Sequence, residues 1–139
     1  DLQRFIEAQK QDFDLALEEI RRGCKRSHWM WYIFPQIRGL GFSSMSAYYG
    51  IQNLKEAEDF LKDPYLGENL RTICQALLEL DTDDPHQVLG SPDDLKLLSS
   101  MTLFEAAEGK GGVFTKVIEK YYGGRRDQKT IELLGKISG

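Results

Sequence analysis

S-H-W-M-W-Y-I-F-P-Q, residues 27–36, sets a histidine against six consecutive apolar or aromatic residues and ends in Pro-Gln. A run with no polar interruption suits either a β-strand or a buried helix, because periodicity cannot separate the two. Almost nothing else in the chain alternates with a period of two. The stretch is therefore read as a short helix over Trp29 to Phe34, capped by Ser27. Trp29 and Ile33 then share one face while His28, Trp31, Tyr32 and Pro35 crowd another, so the element is expected to be buried nearly all round.

Helical punctuation continues on both sides. Upstream, Leu2, Phe5, Ile6, Phe13, Ala16, Leu17 and Ile20 recur at three- and four-residue steps, and Gly23 follows Arg21-Arg22 as a stop. Downstream, Tyr48, Ile51, Leu54, Ala57 and Leu61 form one stripe, and Leu66, Leu70, Ile73, Leu77 and Leu80 form the next. Asp63-Pro64, Asp84-Pro85 and Ser91-Pro92 each place a capping oxygen before a proline whose missing N–H costs nothing at a first helical position. Val113, Phe114, Val117, Ile118 and Tyr121 make a further stripe ended by Gly123-Gly124, after which Asp127 caps a last segment carrying Ile131 and Leu134. The expectation is an all-α, multihelical fold of about seven or eight helices, with residues 1–139 as one domain.

At 139 residues, 41% hydrophobic and 29% charged, the chain is long enough to bury a core without disulfide or metal. Cys24 and Cys74 lack any ligand-like spacing, so no metal or cofactor is expected and both are read as thiols of an intracellular protein. No apolar run approaches bilayer length, which excludes a membrane partner of the spanning kind and leaves the cytoplasm as the default compartment.

The net charge of −4 is unevenly spread. From Arg21 to Lys55 there is no acidic residue, the six basic ones give +6, and seven of the fifteen aromatics lie there. Cations among aromatic faces suit an anionic, ring-bearing small molecule such as a nucleotide. A long nucleic acid fits poorly, because the remainder of the chain is acidic. Basic residues also gather at helix ends for electrostatic reasons alone.

Three runs carry the candidate chemistry. In the first, Trp29 and Trp31 are either core or pocket wall. Gln36, Arg38, Gly39, Gly41 and Ser43 follow, where glycines let backbone approach a ligand and Arg38 supplies charge, unless Ser43 is only a helix cap. His28 is a candidate general acid or base, histidine being the side-chain type suited to proton transfer near neutral pH. In the second run, D-L-K-L-L-S-S-M-T-L-F at 94–104, Lys96, Ser99, Ser100 and Thr102 interrupt an apolar helix. They either line a polar cavity or bond back to the helix backbone. The third, Y-Y-G-G-R-R-D-Q-K-T at 121–130, brings Arg125, Arg126 and Asp127, either to close the same cavity or as a surface loop.

Taken in order, these runs resemble the DUF1810 family of unknown function, sometimes mislabelled calpastatin. The resemblance rests on F-x-x-A-Q at Phe5 to Gln9, H-W-M-W-Y-I-F-P-Q-I-R-G-L-G at His28 to Gly41, Leu66-Gly67, K-L-L-S-S-M-T-L-F at Lys96 to Phe104, and G-x-x-D-x-x-T at Gly124 to Thr130. Tyr48-Tyr49-Gly50-Ile51 departs from the family's usual Tyr-Ala-Ile, and Gly109 to Gly112 makes a glycine-rich loop. Membership implies a compact, mainly helical fold and no assigned activity. More distantly, Trp29 through Tyr48 and then Lys96 to Phe104 are similar in order to the YbiA-like NADAR family, which implies chemistry at N-glycosidic bonds of ribosylated compounds. Such chemistry needs a carboxylate beside an oxocarbenium-like carbon, with Glu56, Asp59 or Asp127 as candidates.

The functional expectation is an aromatic, basic-rimmed pocket for a phosphorylated or nucleotide-like ligand, with N-glycosidic hydrolysis of ADP-ribose-type compounds as its chemistry. His28, Lys96 and Asp127 are its candidate catalytic residues. The alternative is a non-catalytic protein-interaction module whose aromatic segment is core or partner surface.

Overall fold

A computed structural model of the chain describes residues 1–138, and among them nine α-helices follow one another. They are α1 (Gln3–Arg21), α2 (Met30–Ile33), α3 (Ser44–Tyr49), α4 (Leu54–Lys62), α5 (Pro64–Glu79), α6 (Pro85–Leu89), α7 (Asp93–Glu108), α8 (Val113–Tyr122) and α9 (Gln128–Ser138). The all-α expectation holds. The one β contact among the described residues is a parallel bridge between Ile37 and Ile51.

Local chemistry sets most boundaries as anticipated. The Asp63 carboxylate accepts from the N–H groups of Tyr65 and Leu66, and Asp84 accepts from those of His86 and Gln87. Each thereby partners donors that the first helical turn leaves open. Gly23 and Gly123 end α1 and α8 at φ of 82° and 62°, a left-handed region that a side chain resists.

Two expectations about helix starts fail. Ser27 does not cap α2; its hydroxyl donates to Glu19 at 2.6 Å, and the helix begins two residues later than a Ser27 cap would give, with Trp29 as an N-cap that makes no side-chain bond. Ser91 does not cap α7 either, since the helix starts at Asp93 after Pro92. The stripe from Tyr48 to Leu61 is also two helices rather than one, which raises the count to nine. Gly50 breaks it in extended conformation, and a Cβ there would lie 2.7 Å from the Ser46 carbonyl and 2.9 Å from the Arg38 side chain. Ile51 is then free to pair with Ile37: Arg38 N–H donates to Ile51 at 2.8 Å and Ile51 N–H to Gln36 at 2.9 Å.

Helix α7 is the centre, packed by α4, α6, α8 and α9. Residues Ser99 to Glu105 are all buried in sequence, a pattern a one-faced helix cannot show. Phe5, Phe60, Phe104 and Phe114 form a continuous aromatic line through α1, α4, α7 and α8, with successive ring centroids 5.3, 5.2 and 5.9 Å apart. Because α7 is buried all round, its polar side chains must find partners inside. The segment joining α8 to α9 supplies them. The Arg126 guanidinium donates to both carboxylate oxygens of Glu105, Thr102 Oγ1 accepts from Asp127 N–H at 3.0 Å, and Ser99 Oγ donates to Asp127 at 3.1 Å.

The wall of residues 27–36 is anchored from α1. Gln9, buried, donates its amide to the Tyr32 carbonyl at 2.8 Å. Trp29 is wholly buried and donates its indole N–H to Glu19 at 2.8 Å. Burial opposes the charge on Glu19, but the Ser27 hydroxyl, the Arg26 and Ser27 N–H groups and the Trp29 indole outweigh it and hold the carboxyl down at about 2. Trp29 is thus core, and the reading of it as a ligand contact is corrected.

Candidate functional site

The segment after α2, the first turns of α7 and the start of α9 converge on a cleft of about 270 Å³. Trp31, Gln36, Gly41, Lys96, Ser99 and Asp127, six residues from three sequence-distant runs, line it together. The bridge at Ile37–Ile51 fixes where the post-α2 chain passes, and α7 presents Lys96 and Ser99 one turn apart toward it.

Lys96 Nζ sits 3.9 Å from the centroid of the Trp31 ring, a cation–π contact on a half-exposed indole. Asp93 lies between two ammonium groups, 2.9 Å from Lys25 and 3.4 Å from Lys96. Lys25 in turn stands 5.0 Å from the Trp29 ring, so each tryptophan carries one lysine. One carboxylate shared by two cations leaves the cluster net positive, and Lys96 has the longer of the two pairings. Lys129, on the first turn of α9, adds a second cation to the cleft lining.

Asp127 is the carboxylate of this lining. Its Oδ2 accepts from the Ser99 hydroxyl, the Thr130 N–H and the Thr130 hydroxyl, and among the described residues no hydrogen bond goes to Oδ1. Three donors on one oxygen fix the carboxylate's orientation. Ser99 also donates toward the Leu95 carbonyl at 3.3 Å, so it both bonds back to its helix and lines the cavity.

The remaining candidates fall elsewhere. His28 is exposed and outside the cleft, with its carbonyl accepting from the Tyr32 hydroxyl at 3.2 Å. Arg38 turns to the opposite side of the bridge, where it donates to the Ala47 carbonyl at 3.1 Å and lines a groove with Arg4 and Tyr48. Gly39 has a φ of 105° and faces Leu133; Ser43 caps α3 through the Ser46 N–H. Ser100 is wholly buried with its hydroxyl unpartnered, and Thr102 lies behind the cleft as the acceptor for Asp127 N–H. Arg125 and Arg126 do not close the cleft, since they bond to the Tyr122 carbonyl and to Glu105.

Sequence reasoning missed Tyr49, Lys129 and the part of Asp93. Lys129 stood in the quoted third run, one residue inside the last helix, where position alone could have turned it toward Asp127. A larger depression, about 920 Å³, runs along α5 beneath the Gly109–Gly112 loop. It is a shallow groove of alternating charges, bridged by Arg71 and Glu108, and it gathers none of the candidate residues.

Fold and cleft together define an all-α protein with one positively biased, carboxylate-bearing cavity fed by three separate chain segments. The chain belongs to the family of proteins of unknown function DUF1810, whose model matches residues 1–134. It is similar to the conserved hypothetical protein Rv1873 from Mycobacterium tuberculosis, known from its crystal structure: 43% identity, a TM-score of 0.94, and 97% and 96% of the two chains covered. No curated protein matches this chain.

Proposed function

We propose that the cleft holds a small phosphorylated, ribose-bearing ligand of the nucleotide class, and that its chemistry is hydrolysis of the ligand's N-glycosidic bond. The observation that carries the binding part is Lys96, whose incompletely neutralised ammonium is held on the Trp31 face inside a cavity also lined by Lys129. An anion entering there gains two cations without forcing either to give up a full partner. The volume, at the low end of small-molecule sites, suits a ring with one phosphate rather than a whole dinucleotide.

Asp127 is the residue proposed for the chemistry. Breaking the bond between C1′ and nitrogen sends its electron pair to the departing base and leaves positive charge on the ribose. The orientated Asp127 carboxylate stabilises that charge, and water adds to C1′ while its proton passes to Oδ1. With one carboxylate in the lining, the arrangement favours a base that departs without needing a proton, as a cationic pyridinium does. The cytoplasm is the compartment proposed, in keeping with two free cysteines.

The test is a thermal-shift series with AMP, nicotinamide mononucleotide, ADP-ribose and ribose 5-phosphate, followed by chromatography for base released from the mononucleotides. Ligand at about one hundred times its Kd should stabilise by about 2.7 kcal/mol, a rise of several degrees. Lys96→Ala should abolish the shift with the fold intact. Asp127→Asn should keep it and lose product. No shift with any of the four compounds overturns the proposal.

A further inference from the structure

We infer that Phe42, which nothing yet ties to the cleft, is the ring-recognising residue of this site, closing over the ligand's base on the segment between Arg38 and Gly50. The inference rests on the cleft being a small-molecule site as proposed above.

The first ground is a mismatch between composition and burial. From Arg38 to Tyr49 no residue is buried, although Leu40, Phe42, Met45, Tyr48 and Tyr49 lie in that span. Phe42 is fully exposed, at 101% of its reference surface, and Met45 and Tyr48 are exposed at 41% and 58%. Elsewhere in the chain every other phenylalanine is buried. A phenyl ring left wholly in water forfeits the burial that its type normally gains.

The second ground is attachment. The segment leaves and re-enters the body at the Ile37–Ile51 bridge, its helix α3 has no buried residue of its own, and the ties α3 makes to α1 and α2, through Tyr48 and Tyr49, lie at its far end from Phe42. Gly39, at a φ of 105°, and Gly41 lie just before Phe42 and leave the backbone free to turn there. Gly41 itself lines the cleft, and Phe42 follows it by one Cα step of about 3.8 Å.

The third ground is what the cleft lacks. Trp31 would be the natural platform for a flat ring, but Lys96 occupies one face of its indole at 3.9 Å. Tyr49 is engaged with Tyr48, Tyr32 and Phe5. The cavity as it stands meets a phosphate with two cations and a ribose with Asp127, while the two aromatics of its lining, Trp31 and Tyr49, are each already in contact with another side chain. Phe42 is the large ring nearest in sequence to the lining with nothing against it. Swung over the mouth, it would stack on the base and shield the site from bulk solvent.

The test pairs Phe42→Ala with two probes that differ by the base, AMP and ribose 5-phosphate, titrated by calorimetry. Loss of base stacking should weaken AMP about tenfold or more and leave ribose 5-phosphate unchanged. Lys96→Ala should weaken both, and the unliganded Tm of Phe42→Ala should match wild type. If wild type binds AMP and Phe42→Ala binds it equally well, this inference fails while the cleft proposal stands. If wild type binds neither probe, the cleft proposal fails and takes this one with it. A wild-type dimer that Phe42→Ala converts to a monomer, measured by light scattering, would also overturn it, because a second copy would then be what covers the ring.

Discussion

Glu19 offers a sharp test of how the aromatic wall is held. Its Oε1 accepts from the Arg26 N–H at 2.9 Å, the Ser27 N–H at 3.0 Å and the Trp29 indole at 2.8 Å, while Oε2 accepts from the Ser27 hydroxyl at 2.6 Å. Glu19→Ala strands the indole donor in a wholly buried position and removes a charged acceptor from three others. The expected loss is about 3–5 kcal/mol, a fall in Tm on the order of 10 °C. Glu19→Gln keeps an oxygen for the three donors on Oε1, and its amide can donate to a Ser27 hydroxyl that merely rotates. The loss there should be about 1–2 kcal/mol, the difference between charged and neutral hydrogen bonds. The acid limb separates the variants further. A carboxyl held down at about 2 in the fold against 4.5 outside it contributes stability that is complete above about pH 4.5 and lost as pH falls toward 2. At full value the shift is worth about 3 kcal/mol, of which about 2 is gone by pH 3. Urea denaturation at pH 7 and pH 3 should therefore show the gap between wild type and Glu19→Gln closing at the lower pH. Equal damage from Gln and Ala, or a gap that does not change with pH, would refute the account.

Two further substitutions probe the packing. Ser100→Ala removes a buried hydroxyl that has no partner and should stabilise by up to about 1 kcal/mol, read as a Tm rise of a few degrees. Gly67→Ala puts a Cβ 2.1 Å from the Leu61 carbonyl, a backbone atom that cannot rotate away; α4 and α5 must part, and a loss above about 3 kcal/mol by urea denaturation is expected.

The parts of the fold legible in the sequence are those governed by neighbours in the chain. Asp63, Asp84, Gly23 and Gly123 mark helix ends through chemistry confined to one turn, and all four behave as their positions suggest. Ser27 and Trp29 did not, because their partner is Glu19, a residue of another helix whose carboxylate competes for the hydroxyl that would have capped α2. Within the site, Lys96, Ser99 and Asp127 were legible because polar residues in an apolar helix, and a cap ahead of the last one, demand internal partners. Arg38 was misplaced by the Ile37–Ile51 bridge, a single pairing that leaves no periodic trace yet decides which way every side chain beside it points. Trp31 and Trp29 differ for a related reason: two residues apart on a one-turn helix, they face opposite environments, and nothing local says which is inside.

That lone bridge also has an evolutionary reading. Because it ties the chain together before and after residues 38–50, an insertion, deletion or exchange within the intervening stretch, α3 included, would leave the registration of the other eight helices in place. Ligand preference could then drift between relatives by rewriting about a dozen residues, while the machinery on α7 and α9 stays as it is.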